Sequence, residues 1–187
     1  MPLSAHDVAA VLRQRRPGLP TKKLHKLLYY CQGHHLAAFG TPLFTERISA
    51  WDMGPVVGQL WNAERSAEPG GTHRELSEAE LNTVGYVMSR YGALTGRDLE
   101  NLTHSEQPWL LANAGRQPHQ SVPIDIEWLR QYFSSEAVAG DDDDIVLDAA
   151  EVAEWLADAA ERLTEPAAAD DPVVLTQRLE QLRHTAR

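Results

Sequence analysis

The residues most suggestive of chemistry lie in the stretch 102–109, which reads LTHSEQPW. His104, Ser105 and Glu106 are the side-chain types of a hydrolase relay: a base, a nucleophile and a carboxylate that orients the base. Three neighbours cannot form such a relay alone, because their side chains point about 100° apart on a helix and alternate between faces on a strand. There is also no Gly-x-Ser-x-Gly elbow. We therefore predict that the stretch serves structure or binding and that the chain is not an enzyme.

Other site patterns are missing from the sequence. The histidines include the pair His34 and His35, but there is no His-Glu-x-x-His motif and no Cys/His cluster, so we expect no zinc and no other cofactor. GPVVG at 54–58 is not a phosphate-binding loop. The aspartate run 141–144 lacks the glycine of a calcium loop. Cys31, the single cysteine, lies in an apolar helical pattern and is expected in the core.

The charge is concentrated at the C-terminal end. Residues 1–135 contain 13 acidic and 13 basic side chains, whereas residues 136–187 contain 14 acidic and 4 basic ones and carry the whole net charge of −10. Phosphates repel an acidic chain, so nucleic acid is an unlikely partner. An acidic extension is better suited to a basic surface on a partner protein.

Composition also predicts the compartment. There is no run of eighteen apolar residues, so we expect no transmembrane helix and no membrane partner. The first residues, MPLSAHDVAAVLRQRR, lack the apolar stretch of a signal peptide. A single cysteine fits a reducing environment. The sequence therefore predicts a cytoplasmic protein.

Apolar spacing and capping signals predict a mainly α fold. Ser4 and Asp7 resemble a capping box for a first helix. The strongest amphipathic pattern runs from a predicted cap at Thr21 to a stop at Gly40, with His25, Lys22 and Lys26 on its polar, solvated side. Capping residues and prolines predict further helices that begin at Pro55, Ser77, Thr95, Pro108 and Asp125.

Two further segments complete the predicted architecture. Residues 43–51 favour one short β-hairpin with its tip at 45–47. Residues 134–144 are interpreted as a linker, and 148–163 as an acidic amphipathic helix that is followed by a terminal one. We thus expect a compact multi-helix domain at 1–135 and an acidic linker with a helical extension at 136–187.

The order of motifs resembles the Panacea domain, also called the SocA-like antitoxin or phage-associated protein domain. Its helix motif matches KLHKLLYYCQGHHL, its G-x-PLF matches GTPLF, and its I-x-AW-x-x-GPV matches ISAWDMGPV. A second signature, L-x-x-L-THSE-x-PW, matches LENLTHSEQPW, and a helix that ends in Tyr132 and Phe133 follows. The resemblance covers about residues 5–135 and says nothing about the extension.

The resemblance implies a function. Such proteins are antitoxins that bacteria and phages encode beside a toxin gene, and the chain is expected to neutralise a cognate protein toxin by direct binding, for example in phage defence. The alternative is a proteolytic adaptor that delivers the toxin to a cytoplasmic ATP-dependent protease. A DNA-binding autoregulator is disfavoured by the acidic charge.

The motif residues divide into core and candidate site. Leu27, Leu28 and Trp109 are expected in the core. The toxin-binding residues are expected to include Gln32, His35, Trp51, Asp52, Met53, His104 and Glu106. In the acidic extension, Trp155 and Leu156 are candidate anchors that pack either on the toxin or back on the domain.

Overall fold

A computed structural model describes residues 3–66 and 74–141, the last four by their backbone alone. Within these ranges the chain forms seven helices and three short strands, so the predicted mainly α fold is confirmed. The elements in chain order are α1 (Ala5–Arg15), α2 (Thr21–Phe39), β1 (Ile48–Trp51), β2 (Gly54–Val57), α3 (Gly58–Ser66), α4 (Glu78–Tyr91), α5 (Gly96–Ser105), α6 (Gln107–Asn113), β3 (Val122–Pro123) and α7 (Ile126–Asp141).

Helix α1 starts at the predicted capping box. The Ser4 amide donates to the Asp7 carboxylate at 3.1 Å, and the Ser4 side chain accepts from the first turn. A distant carboxylate adds to this cap, since Glu46 accepts from the Ser4 hydroxyl at 2.5 Å and from the Ala5 amide at 2.9 Å. Its negative charge lies at the positive end of the helix dipole, which stabilises the helix start.

Helix α2 lies at the centre of the fold, and the prediction that its polar side is solvated is wrong. It packs against α1, α4, α5, α7 and β2, so nearly its whole circumference is covered. Lys23, His25 and Lys26 are buried along with the leucines, whereas Lys22 is partly exposed. A single-helix pattern cannot predict this, because burial of the polar side depends on neighbours from distant segments.

The ends of α2 agree only in part with the prediction. Pro20, not Thr21, is the N-cap residue, and no side chain caps this end. The helix ends at Gly40 as predicted. Gly40 has a φ of 69°, in the left-handed region that glycine adopts without a steric penalty.

The predicted hairpin is displaced by several residues. The strands that pair are β1 and β2, with Trp51 opposite Gly54 and the turn at Asp52 and Met53. Residues 43–47 form no strand. The side-chain amide of Gln32 takes the place of a ladder there, because its oxygen accepts from the amides of Leu43 and Phe44 at 3.0 and 3.1 Å and its nitrogen donates to the Phe44 carbonyl at 3.1 Å.

Pro55 lies in β2 and does not begin a helix, so that prediction is wrong; α3 begins at Gly58. A proline is tolerated here because β2 is at the edge of the sheet, which has the order β2-β1-β3. The third strand, β3, precedes α7 and pairs antiparallel with β1.

The remaining helix starts follow the predicted signals. Ser77 with Glu80 and Thr95 with Asp98 form capping boxes for α4 and α5. Pro108 lies in the first turn of α6, and the Asp125 side chain accepts from the Glu127 amide at 2.8 Å at the start of α7. These signals are local in sequence and can therefore be recognised without knowledge of the tertiary structure.

The core is built around α2 and α7. Leu27, Leu28, Cys31 and Trp109 are buried as predicted. Gly33 faces the ring of Phe133 so closely that a Cβ atom would lie 2.2 Å from its carbons, and this allows α2 and α7 to approach each other.

Helix α7 extends beyond the expected end of the domain. It continues to Asp141, so residues 134–141 are helical where a linker was predicted. The division of the chain at 135 stays a prediction. The predicted helix at 148–163 and the terminal helix lie outside the described residues.

Candidate functional site

A groove of about 770 Å³ opens where α2, the β1–β2 hairpin, the first turn of α3 and the loop before β3 meet. We call it the tryptophan groove. Its lining comprises residues 21, 22, 25 and 26 of α2, residues 51–53 and 56 of the hairpin, Trp61 of α3 and loop residues 119–121. Its volume lies in the range of protein sites that bind small molecules or anchor side chains.

Two indole rings form one wall of this groove. Trp51 and Trp61 contact each other edge to face, with centroids 5.2 Å apart and planes at 72°. The Trp51 indole nitrogen donates to the Ser121 hydroxyl at 2.9 Å, which fixes the ring. The Arg65 guanidinium lies 4.5 Å from the Trp61 ring centre. Met53 at the hairpin turn is 56% exposed, so a large flexible apolar side chain stands beside the rings.

Asp52 ties the hairpin turn to the loop before β3. Its carboxylate accepts from Arg116 at 2.5 Å and from the His119 amide at 3.0 Å. These bonds hold the pKa of Asp52 below its usual value, and the bond from Arg116 has the largest effect. His119 has a φ of 66°, uncommon for a residue other than glycine. Arg116 also donates to the Gln120 carbonyl at 3.1 Å, so this rim of the groove is preorganised.

His25 lies in the floor of the groove as a buried neutral ring. Its Nδ1 accepts a hydrogen bond from the Val57 amide at 3.3 Å, which places the ring proton on Nε2. Burial, with a smaller contribution from the charge of Lys26, lowers the pKa of His25 to about 4. The Nε2 atom is buried and has no hydrogen-bond partner. The ring therefore presents an unused donor.

Lys26 is the second floor residue and is 1% exposed. Its Nζ donates to the Pro55 carbonyl at 3.2 Å, and among the described residues no carboxylate lies within salt-bridge distance of it. Burial lowers its pKa to about 8, against an opposing contribution from Glu100. An ammonium has three donors, and one of them is accounted for by this carbonyl.

Three motifs of the sequence meet at Lys26. The residue belongs to the KLHKLLYY helix, and it bonds Pro55 of the GPV segment. Gly54 has a φ of 98°, and a Cβ atom there would lie 2.7 Å from Cε of Lys26 and 3.0 Å from the Thr103 hydroxyl of the THSE stretch. Glycine is therefore needed at this position for both its backbone angle and its lack of a side chain.

The THSE side chains diverge and form no relay. His104 stacks on the Trp109 ring with centroids 4.0 Å apart, and burial lowers its pKa. Ser105 donates to the Leu102 carbonyl at 2.7 Å and is exposed. Glu106 points into the core, where it accepts from the Tyr30 hydroxyl at 2.8 Å. Of these three contacts, the one between His104 and Trp109 joins α5 to α6, whereas Ser105 bonds within α5 and Glu106 bonds to α2.

Gln32 and His35 are buried on other faces of α2. The side-chain amide of Gln32 makes the hydrogen bonds to residues 43–44 described above. His35 contacts the Thr83 hydroxyl through Nδ1 at 2.9 Å and lies against the Phe39 ring. Burial lowers the pKa of His35. Both side chains connect α2 to its neighbours.

The fold thus brings together three of the predicted binding residues. Trp51, Asp52 and Met53 line the tryptophan groove, whereas the others lie elsewhere in the described part or beyond it: Gln32, His35, His104 and Glu106 in or near the core, and Trp155 and Leu156 outside the described residues. The sequence prediction missed His25, Lys26 and Trp61 as groove residues. One signal could have indicated His25 and Lys26: basic residues lie within an otherwise apolar helix, and basic side chains are rarely buried.

The described residues hold no group of three or more His, Cys, Asp or Glu side chains that could bind a metal ion. No helix among them has the length and apolar character needed to cross a membrane.

Comparisons with known proteins give one match. Residues 24–110 match the family model of the antitoxin SocA-like, Panacea domain. No curated protein and no solved structure matches the chain. The matched segment runs from the start of α2 into α6 and includes the hairpin, both tryptophans of the groove and the THSE stretch. The match supports an antitoxin role in general terms, and residues 24–110 of this chain are similar to the SocA-like antitoxin, Panacea domain.

Proposed function

We propose that the chain is an antitoxin that neutralises a cognate protein toxin by stoichiometric binding, with the tryptophan groove as the contact surface. The observation that carries the proposal is the half-buried pair Trp51 and Trp61 beside the exposed Met53 in a preformed groove. The family match supplies the antitoxin role, and the groove supplies a surface with the properties of a protein-binding site.

The groove has the composition of a binding hot spot. Tryptophan is enriched at positions that contribute most to protein–protein affinity, where a packed aromatic centre is surrounded by polar groups that exclude water. Here the bonds of Asp52 to Arg116 and His119 form such a rim, and Trp51 is held by Ser121. A surface fixed before binding loses less conformational entropy on association.

The charge of the chain supports a protein partner over nucleic acid. The formal net charge is −10, and the described residues offer no continuous basic surface around the groove, since Asp52 pairs with Arg116 and Lys22 with Glu100. Binding to a phosphate backbone depends on several unpaired Lys or Arg side chains.

The test is a growth assay in which the chain is co-expressed with the product of the adjacent gene. We expect that product alone to stop growth, the chain to restore it, and the two proteins to co-purify at moderate salt. A Trp51→Ala/Trp61→Ala double variant should lose rescue and co-purification. A Leu110→Ala/Leu111→Ala double variant is the matched control, because it removes two exposed apolar side chains from α6, away from the groove.

Circular dichroism and the melting temperature must show that both variants fold. Full rescue by the tryptophan variant would refute the groove as the contact surface. Rescue without a stable complex, together with a shorter toxin half-life, would replace direct neutralisation by delivery to a protease. If the neighbouring product is harmless, the antitoxin proposal loses its partner and fails for that gene pair.

A further inference from the structure

The floor of the tryptophan groove contains one buried donor without an acceptor, on His25, and one ammonium with a single acceptor, on Lys26. His25 is 2% exposed, carries its proton on Nε2, and has no partner for that proton. Lys26 uses one hydrogen bond, to a carbonyl oxygen. Buried donors without acceptors are rare in folded proteins, because each loses its bonds to water and gains nothing in return.

The charges around the groove indicate the sign of the ligand group that would bind these donors. Lys22 forms an ion pair with Glu100 at the rim, and Asp52 forms one with Arg116, so both pairs are already neutral. Lys26 adds one positive charge without a salt bridge to a described carboxylate. The groove therefore has room for one negative charge at its floor, next to an apolar wall.

We propose that the tryptophan groove recognises a carboxylate side chain of the partner protein that lies beside a large apolar side chain, with the carboxylate bound by Lys26 and His25 and the apolar group packed on Trp51 and Trp61. The inference rests on the proposed function and names the chemistry of the partner at that site. Aspartate or glutamate supplies a single negative charge and several acceptor sites, which matches one ammonium and one imidazole N–H.

A phosphate group fits the site less well. It carries close to two negative charges and three acceptor oxygens, and its sites are built from several cations or from backbone amides. The groove floor offers one cation and a neutral ring. The aromatic wall also requires an apolar neighbour for the anion, which a peptide supplies by sequence adjacency.

Lys26 has hydrogen-bond donors left for such a ligand. Its ammonium is on a flexible four-carbon stem and is held by one bond to a neutral carbonyl. A carboxylate carries a full negative charge, so in a groove closed by the partner it attracts the ammonium more strongly than the neutral Pro55 carbonyl does.

The first experiment uses a displayed library of random dodecapeptides panned against the immobilised full chain. We expect the selected peptides to carry Asp or Glu next to Trp, Phe, Leu or Met. Selection of peptides without acidic enrichment, enrichment of Lys or Arg, or no selection at all would overturn the proposal.

The second experiment measures affinity with matched synthetic peptides. The best acidic peptide is compared with its Asp→Asn or Glu→Gln form by fluorescence polarisation on the wild-type chain. We expect a loss of tenfold or more in the amide form, and the loss should shrink at high salt. Equal affinity of the two forms would overturn the proposal, and this comparison needs no protein variant.

Protein variants then assign the groups. Lys26→Met should bind the acidic and amide peptides with equal, weak affinity, whereas Trp51→Ala should weaken both and keep the acidic preference. Arg47→Met removes an exposed cation away from the groove and should retain the wild-type preference. Retention of that preference in a folded Lys26→Met protein would contradict the role of Lys26.

The growth assay separates this inference from the proposed function. If the Trp51→Ala/Trp61→Ala variant loses rescue while Lys26→Met retains it fully, the groove binds the toxin and the carboxylate rule is wrong. If the groove prefers acidic peptides but the Trp51→Ala/Trp61→Ala variant still rescues growth, the groove binds peptides and toxin neutralisation does not depend on it. The inference about the partner toxin would then be wrong.

Discussion

The Tyr30 hydroxyl donates a 2.8 Å hydrogen bond to Oε1 of Glu106 and so joins the central helix to the turn between α5 and α6. The other carboxyl oxygen is buried without a partner, and the Tyr29 hydroxyl nearby makes no hydrogen bond of normal geometry. The Tyr30 ring in turn stacks on Tyr91, with centroids 3.9 Å apart. An acid in this setting is more stable when protonated.

The first prediction concerns stability against pH. Burial raises the pKa of Glu106 from 4.5 to about 7, against the lowering effect of the tyrosine hydroxyls. The unfolded chain loses this proton near pH 4.5, so the stabilisation is complete below that pH and is lost as pH rises through 7. The loss amounts to roughly 3 kcal/mol.

Glu106→Gln keeps an acceptor for Tyr30 and removes the ionisation. We expect the unfolding free energy of the variant to exceed that of the wild type at pH 8 and to match it near pH 4.5, as measured by urea unfolding across that range. Glu75→Gln, at an exposed carboxylate, should follow the wild-type profile. A constant difference between Glu106→Gln and wild type at every pH would contradict a protonated Glu106.

The second prediction is that Lys26 destabilises the free protein. Burial lowers its pKa from 10.5 to about 8, so its contribution to stability is present above pH 10.5 and is lost as pH falls through 8. Near pH 7 the penalty is roughly 3 kcal/mol. Lys26→Met removes it but leaves the Pro55 carbonyl without a donor, at about 1–3 kcal/mol.

We therefore expect Lys26→Met to be as stable as the wild type or more stable at pH 7, and its advantage to shrink towards pH 9.5. Thermal unfolding at the two pH values checks this. A variant that is several kcal/mol less stable at pH 7 would show that Lys26 supports the fold and would contradict this prediction.

The third prediction tests the contact of Gly33 with Phe133. Alanine is intrinsically better than glycine in a helix by about 1 kcal/mol. At position 33, however, its Cβ atom would lie 2.2 Å from the Phe133 ring, so we expect Gly33→Ala to be destabilised by roughly 2–4 kcal/mol.

Phe133→Leu should partly relieve the clash in the double variant, to an extent that a double-mutant cycle measures. Gly115→Ala serves as the control, because a Cβ atom there has no neighbour within 4 Å. Additive effects of the two substitutions would exclude direct packing between positions 33 and 133.

The fourth prediction separates structure from binding at Gln32. Its side-chain amide makes three hydrogen bonds to the backbone of Leu43 and Phe44. Gln32→Leu leaves two amides and a carbonyl without these partners in a buried position, and we expect a loss of roughly 2–5 kcal/mol. In the growth assay at low temperature the folded variant should still rescue. If Gln32→Leu were as stable as the wild type but did not rescue growth, Gln32 would instead be a toxin-binding residue.

The sequence was informative wherever a structural signal is local. The pairs Ser4–Asp7, Ser77–Glu80 and Thr95–Asp98 span three residues each, so their capping boxes could be recognised directly. Gly40 ended α2 for a similar reason. The motif order also predicted the family, because rare residue combinations at fixed positions need no knowledge of the fold.

The hairpin register was not predictable in this way. Residues 43–44 have strand-like composition, but their amides bond to the side chain of Gln32, a helical residue eleven and twelve positions away. Pairing of 48–51 with 54–57 then follows, with a proline in the edge strand. A competition between a side-chain acceptor and a backbone ladder is decided by tertiary contacts.

By itself, the sequence determined the mainly α class, most helix starts, the core leucines of α2 and the resemblance of residues 24–110 to the SocA-like family, since helical periodicity, caps and motif order are properties of neighbouring residues. Only the tertiary structure decided that Lys26 and His25 are buried and face the same groove as Trp51 and Trp61. That arrangement depends on β2, which bonds to both His25 and Lys26, and on α5, whose Thr103 lies beside Gly54 and Lys26. Burial is a property of everything that packs around a residue, and local periodicity contains no record of it.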